Sequence, residues 1–255
     1  MSFNLTSAFT IYRAELLRFL RTAFGSLVSP VLTTCLYFIV FGAAIGGRMN
    51  EVGGVPYGAF IVPGLLLLTM LSESTSNASF GIYMPRFTGS IYELLSAPVG
   101  VAETLFGYVG AAVTKSLILA AIILLTATLF VDFHIAHPVA AFFFILLVAS
   151  AFSLLGFILG LWADGFEKLQ MVPLLLLTPL TFLGGTFYSI DMLAEPWRTV
   201  ALFNPIVYLV SGLRWTFYGQ ADVSIAVATG LTLLFLTICI VIIGTIFQTG
   251  WRLRE

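Results

Sequence analysis

The stretch LTPLTFLGGTFYSI, residues 177–190, begins like a membrane-spanning helix and does not finish as one. Pro179 and the pair Gly184 and Gly185 interrupt it, and Asp191, Glu195 and Arg198 follow at once. Proline removes a helical N–H and kinks the chain, while adjacent glycines permit close backbone approach or an early helix end. Broken backbone is tolerated at membrane depth only where protein or water satisfies the freed N–H and C=O groups. The residues that follow, DMLAEPWRTVALFNPIVYLVSGLRWTFYGQAD, are too apolar for a free loop and too interrupted for a span. They are expected to form an external re-entrant helical hairpin over 189–222, turning near Asn204 and Pro205.

Composition supplies the surroundings of that stretch. Of 255 residues 60% are hydrophobic and 9% charged, with a mean hydropathy of +1.07, whereas soluble domains carry about 25% charged residues. A span needs roughly 20 apolar residues to cross a hydrocarbon core of about 30 Å. Six windows qualify: residues 27–46, 57–83, 110–131, 138–162, 172–188 and 225–247. The expected fold is all-α and integral to the membrane, a single transmembrane domain with six transmembrane helices.

Charge placement sets the orientation. Short loops retain Lys and Arg on the cytoplasmic side. With both termini on one face, that face holds Arg13, Arg18, Arg21, Arg86, Lys168, Arg252 and Arg254, with Lys115 beside it at the start of the third span. The other face holds Arg48, Arg198 and Arg214, so eight basic residues against three predict cytoplasmic termini. The apolar run behind Arg21 is long enough to span, and no signal cleavage is expected. Cys35 and Cys239 fall inside spans and read as packing residues.

Residues 5–24 have the pattern of an amphipathic helix in the cytoplasmic interface. Phe9, Tyr12, Leu16, Phe19, Leu20 and Ala23 share one face, with Glu15, Arg18 and Arg21 opposite. Between the second and third spans, MPRFTGSIYELLSAP at 84–98 predicts a short cytoplasmic helix over 85–98. Phe87, Ile91, Leu94 and Leu95 fall at helical spacing on one face of it. That stripe lies on the membrane surface, packs under the bundle, or enters a groove on another protein.

Glu73 is the one acid deep inside a predicted span, within SESTSNAS at 72–79. Ionisable residues at that depth are costly and functional by default. Glu73 and Asn77 form either the polar floor of a substrate path or, with Glu73 protonated, a packing contact among Ser and Thr neighbours. Gly42/Gly46 and Gly156/Gly160 give a spacing that lets helices approach. DFHIAH at 132–137 is too sparse for a metal site, and no metal is expected.

The segments FIVPGLL at 60–66, ELLSAPV at 93–99, LTPLTFLGGTFYS at 177–189 and NPIVYLVSGLRW at 204–215, in that order, carry a family likeness. The whole chain resembles the membrane subunit of type-2 ABC exporters, in the branch of nodulation-factor export permeases and YadH-like permeases. The resemblance implies a dimer of six-helix subunits in the bacterial inner membrane, a homodimer on the simplest reading. It also implies a cytoplasmic ABC ATPase subunit, in two copies, gripping a coupling helix at Arg86, Phe87, Ile91, Tyr92, Glu93, Leu94 and Leu95, with the N-terminal helix as a second contact. ATP and Mg would belong to that partner, since no Gly-Lys pair of a phosphate-binding loop occurs here. No role for Glu73 or Asn77 is carried over from the family, while the hairpin with Gly184, Gly185, Asn204 and Pro205 is expected to act as an outer gate or as a cap that stiffens the dimer.

Other function classes fare less well. The zinc pattern HExxH and the nucleophile pattern GxSxG are both missing, and nothing suggests a nucleic-acid partner. An ion-coupled carrier using Glu73 remains the alternative, though the internal repeat such carriers often show is not found. The 24 Phe, 9 Tyr and 4 Trp suit an amphipathic lipid-like, glycan or drug substrate, and equally suit contact with membrane lipids.

Overall fold

Six described helices are long and apolar enough to cross a membrane, Ala23–Gly42, Tyr57–Thr88, Val101–Ala127, Pro138–Trp162, Phe166–Leu183 and Ile225–Thr249. The fold is all-α with six transmembrane helices. The computed structural model describes residues 3–43 and 51–250, and only the backbone of Ala43, Leu94 and Leu95. In chain order the elements are α1 (Leu5–Arg21), α2 (Ala23–Tyr37, continued by a π turn over Phe38–Ala43), β1 (Glu51–Val52), β2 (Val55–Pro56), α3 (Tyr57–Phe60) and α4 (Val62–Thr88). Then come α5 (Ile91–Ser96), α6 (Val101–Ala127), α7 (Pro138–Trp162), α8 (Phe166–Val172), α9 (Thr178–Leu183), α10 (Trp197–Leu202), α11 (Pro205–Tyr218) and α12 (Ile225–Thr249).

Helix α4 is the hub. Every residue from Val62 to Leu68 is buried, and α7 approaches it closely because glycines leave room. A Cβ at Gly156 would overlap the Thr75 carbonyl oxygen, and one at Gly160 the Ser79 carbonyl oxygen. Thr75 Oγ1 donates to the Phe152 carbonyl across the same seam, at 3.3 Å. This is the small-residue packing that joins helices in lipid, where apolar burial gives no driving force between them. Gly42 meets nothing within 4 Å, and its partner Gly46 lies outside the described residues.

The helices outrun the windows read from the sequence. The third span begins at Val101, not near residue 110, and the second continues to Thr88. The 27 residues of α6 extend about 40 Å, some 10 Å more than the hydrocarbon core. The fifth span also starts earlier, at Phe166, and its interruption does not fall at Pro179. It falls just upstream, in a π segment over Pro173–Leu177. The cause is still Pro179: its ring lacks an N–H for the Leu175 carbonyl and crowds it, so the preceding turn widens. Thr178 then bonds back to the Pro173 carbonyl with its N–H and, at 3.0 Å, its hydroxyl.

Phe157 stacks on Phe247 at 6.4 Å, which sets the end of α12 beside the end of α7. The Asn4 N–H donates to Glu103 Oε1 at 2.8 Å, so α1 starts at the same end of the bundle. The opposite end carries α3, α10, α11 and a small β-hairpin absent from the sequence expectation. Its turn, Gly53-Gly54, holds both glycines at positive φ, +60° and +79°, as two-residue hairpins require.

Candidate functional site

One stripe of the hub is left uncovered by the rest of the chain. Along α4 from Val62 to Tyr83 the incompletely buried positions are Thr69, Ser72, Glu73, Ser76, Asn77 and Phe80, spaced by three and four residues. A helix repeats every 3.6 residues, so these six share one face. Five of them are polar, and a polar face inside a bilayer requires a water-filled cavity or another protein surface opposite it. Aromatic rings from the first span, from α9 and from the segment after it pack together. Phe41 stacks on Phe187 at 4.2 Å, and Tyr37 lies 5.6 Å from Phe187 and 6.4 Å from Phe182.

Glu73 has a partner that the sequence reading missed. Lys115 Nζ lies 3.2 Å from Glu73 Oε2 and 3.4 Å from Asn77 Oδ1, and 5.5 Å from the centroid of the Phe19 ring. The partner is thus neither a Ser nor a Thr, but a lysine of the next span. A signal for it existed. Once α6 begins at Val101, Lys115 stands 14 residues inside it, about 21 Å from its start, where a lysine needs an acid within reach.

The gate candidates Gly184, Gly185, Asn204 and Pro205 come together at the other end. Asn204 Oδ1 caps α11 by accepting from the Ile206 N–H at 2.9 Å, while its Nδ2 donates to the Leu180 carbonyl at 2.6 Å. Pro205 occupies the first helical position, where its missing N–H costs nothing. A Cβ at Gly184 would come within 2.8 Å of Ile206 Cγ2, and Gly185 adopts φ +83°, a conformation that favours glycine. Glu73 and Asn77 are not part of this junction. Gly64, whose Cβ would overlap the Thr186 carbonyl oxygen, is nine residues from Glu73, about 13 Å along the helix.

A second charged residue escaped the sequence reading here. Arg214, 3% exposed, donates from Nη1 to Asp222 Oδ2 at 2.9 Å and from Nη2 to the Gly185 carbonyl at 2.8 Å. Its guanidinium carbon sits 3.8 Å from the Phe60 ring centroid, and its buried Nε has no hydrogen-bond partner among the described residues. Asp222 also accepts from Ser189 at 2.6 Å. One side chain therefore ties α11 to the loop after α9 and to α3. The sequence had assigned Arg214 to a face of the membrane by charge counting alone.

The segment expected as a single helix over 85–98 is divided. α4 runs through Pro85 to Thr88, Gly89 turns the chain at φ +79°, and α5 holds only Ile91–Ser96. Phe87 belongs to α4 and its ring centroid lies 5.2 Å from that of Phe166, the first residue of α8. Ile91 is buried, Tyr92 and Glu93 are exposed, and the side chains of Leu94 and Leu95 lie outside the described residues. Arg86 Nη1 bonds the Gly160, Leu161 and Ala163 carbonyls at 2.9, 2.5 and 3.3 Å, closing the C-terminus of α7.

Helix α1 is rotated relative to its sequence expectation. Ala8 and Phe19 are buried while Phe9 and Leu20 are exposed. Ile11 seats against Gly107, and the hydroxyls of Tyr12 and Thr114 share a 2.9 Å hydrogen bond. Glu15, expected on the polar face, turns inward beside Gly81 and pairs with Arg18 at 2.5 Å. Burial pushes its carboxyl up from the ordinary value, and Arg18 pulls it partly back. The apolar moment pointed at lipid, whereas α1 has protein on one side and exposed apolar residues on the other.

Residues 6–218 match the family described as ABC-2 type transporter. The chain is 36% identical over 246 residues to the inner membrane transport permease YadH of Escherichia coli (strain K12), covering 96% of each protein. It is also 22% identical over 231 residues to nodulation protein J of Rhizobium leguminosarum bv. viciae, covering 89% of this chain and 88% of that protein.

Proposed function

The chain belongs to the ABC-2 type transporter family, and from that premise we propose that it is the membrane-spanning subunit of an ATP-driven exporter. It contains no phosphate-binding loop, so ATP and Mg bind a separate cytoplasmic ABC ATPase subunit, present in two copies. Two copies of this chain form the dimer, in the bacterial inner membrane like its YadH relative, with seven of the eleven basic residues and both termini on the cytoplasmic side. The observation that carries the reading is the polar stripe of α4. Two such stripes facing each other across a dimer axis would wall a path for the head of an amphipathic substrate, while lipid contacts the apolar faces of α2 and α12.

The hairpin built from α10 and α11 serves as the outer gate. Trp197, Val200 and Phe203 are exposed apolar residues around α10, which suits a re-entrant element bathed partly by lipid. α5 and the end of α4 form the coupling segment, with Phe87, Tyr92 and Glu93 among its exposed residues. The ion-coupled reading of Glu73 gains nothing from the family and is set aside.

The test is purification from the native membrane, with ATPase activity assayed in the eluate. A soluble ABC ATPase should co-purify and be lost when Leu94 and Leu95 are changed to Asp. Elution without any nucleotide-binding partner overturns the proposal.

A further inference from the structure

The stripe of α4 has a chemical sense as well as a location. Of its central pair the carboxylate is the outward member: the Glu73 side chain is 29% exposed and that of Lys115 8%. Lys115 bonds Oε2, which leaves Oε1 without a protein partner among the described residues. Of the α4 hydroxyls, those of Thr69, Ser74, Thr75 and Ser79 each donate to a main-chain carbonyl, Thr69 although it lies on the stripe. The hydroxyls of Ser72 and Ser76, beside Glu73, make no hydrogen bond among the described residues. The stripe therefore presents a carboxylate oxygen and two hydroxyls, with the Asn77 amide beside them.

Among the described residues, the cations that approach the stripe are already paired. Lys115 lies behind Glu73, and Arg18, whose guanidinium sits 5.5 Å from the Phe80 ring centroid, is already paired with Glu15. An incoming phosphate or carboxylate meets Glu73 first. To reach Lys115 it must break the 3.2 Å contact and leave the Glu73 carboxylate uncompensated at membrane depth, which is costly. An ammonium head takes Oε1 directly and leaves the Lys115 contact in place. Beside it, α2 and the π segment over Pro173–Leu177 both touch α4, and they expose Leu32, Leu36, Leu174 and Leu175.

We propose that this stripe is a binding site selective for an amphipathic cation. The ammonium head sits on Glu73 Oε1 and the Ser72 and Ser76 hydroxyls, and the alkyl part lies along the flanking leucines. The proposal rests on the exporter reading for its purpose, since it names the class of substrate, but its test does not need the ATPase.

The full chain in phosphatidylcholine nanodiscs is titrated with dodecylamine and, separately, with dodecyl phosphate, reading the saturable heat above partition into empty nanodiscs. Saturable binding of dodecylamine is expected, with none for dodecyl phosphate. Glu73→Gln should weaken dodecylamine binding at least tenfold. Ser72→Ala with Ser76→Ala, which leaves the ion pair untouched, should weaken it about threefold and serves if Glu73→Gln fails to fold. Equal or tighter binding of dodecyl phosphate overturns the proposal, as does dodecylamine binding that neither variant changes. No saturable dodecylamine binding in a chain that still co-purifies an ATPase overturns the site and leaves the exporter reading standing, while saturable amine binding without an ATPase partner does the reverse.

Discussion

Two ion pairs lie inside this bundle, and the protein encloses them to different degrees. Arg214 and Asp222, 2.9 Å apart with side chains 4% and 14% exposed, are closed in by Gly185, Ser189 and Phe60. Lys115 and Glu73, 3.2 Å apart, keep the cation covered and leave the carboxylate open. Desolvating a charge is expensive unless its remaining hydrogen-bonding capacity is used. The first pair is arranged to hold elements together. The second leaves acceptor capacity unused on the one polar face of the hub, which is what a site for something outside the chain looks like.

The comparison breaks most readily at Arg214. Arg214→Met leaves Asp222 as an uncompensated charge among buried groups, a change that costs about 3–5 kcal/mol. Thermal unfolding in detergent should fall steeply, or the protein should be lost from the membrane. Arg214→Lys should recover only part of the loss, because a point charge cannot hold both Asp222 and the Gly185 carbonyl as a guanidinium fork does. An unfolding temperature unchanged by Arg214→Met would remove the distinction between the pairs.

Next in size is the seam between α4 and α7. Gly160→Val drives a side chain into the Ser79 carbonyl, and overpacking of this kind costs about 1–3 kcal/mol. Gly42→Val, where nothing lies within 4 Å, should be far milder, so equal losses at the two glycines would refute close packing at Gly160. The half-open pair should cost less in stability than the enclosed one. Glu73→Gln retains a neutral oxygen for Lys115, and its effect on unfolding should stay below that of Arg214→Met. Transport-linked ATPase activity of the assembled complex should nonetheless drop. A large stability loss with unchanged activity would make Glu73 another structural lock.

These two pairs also mark where sequence reasoning reaches and where it stops. The six spans were legible because runs of apolar residues cannot be hidden in a chain that must cross lipid. Their ends were not, since helices continue past the hydrocarbon without any change in local propensity. That one uncertainty concealed the Glu73–Lys115 pair, by leaving Lys115 near a membrane surface when it belongs deep in α6. The break near Pro179 was legible in cause but misplaced, because proline acts on the carbonyl four residues before it. The Val-Gly-Gly-Val turn at 52–55 was a readable hairpin signal, overlooked inside a chain taken to be wholly helical. Arg214 offered no local signal at all, since its partners at 185, 189 and 222 meet only in the folded protein.

The smallest effect expected is at Glu15, in a third pair whose carboxylate is as covered as that of Asp222 while its Arg18 is more exposed than any member of the other two. Burial holds its carboxyl above the ordinary value of 4.5, with Arg18 opposing. The folded protein therefore binds this proton more tightly than the unfolded chain does. The stabilisation linked to that difference is fully present below pH 4.5 and fades as the pH rises through the raised folded value. Docking of α1 on α4 and α6 should accordingly weaken with rising pH across that window. Thermal unfolding of the wild type and of Glu15→Gln, measured in parallel from pH 4.5 to 7.5, isolates the term. The advantage of the wild type over the variant should shrink as the pH rises. An advantage that grows instead would mean the Arg18 ion pair outweighs burial, and would place Glu15 with the locked pair at Arg214 and not with the open one at Glu73.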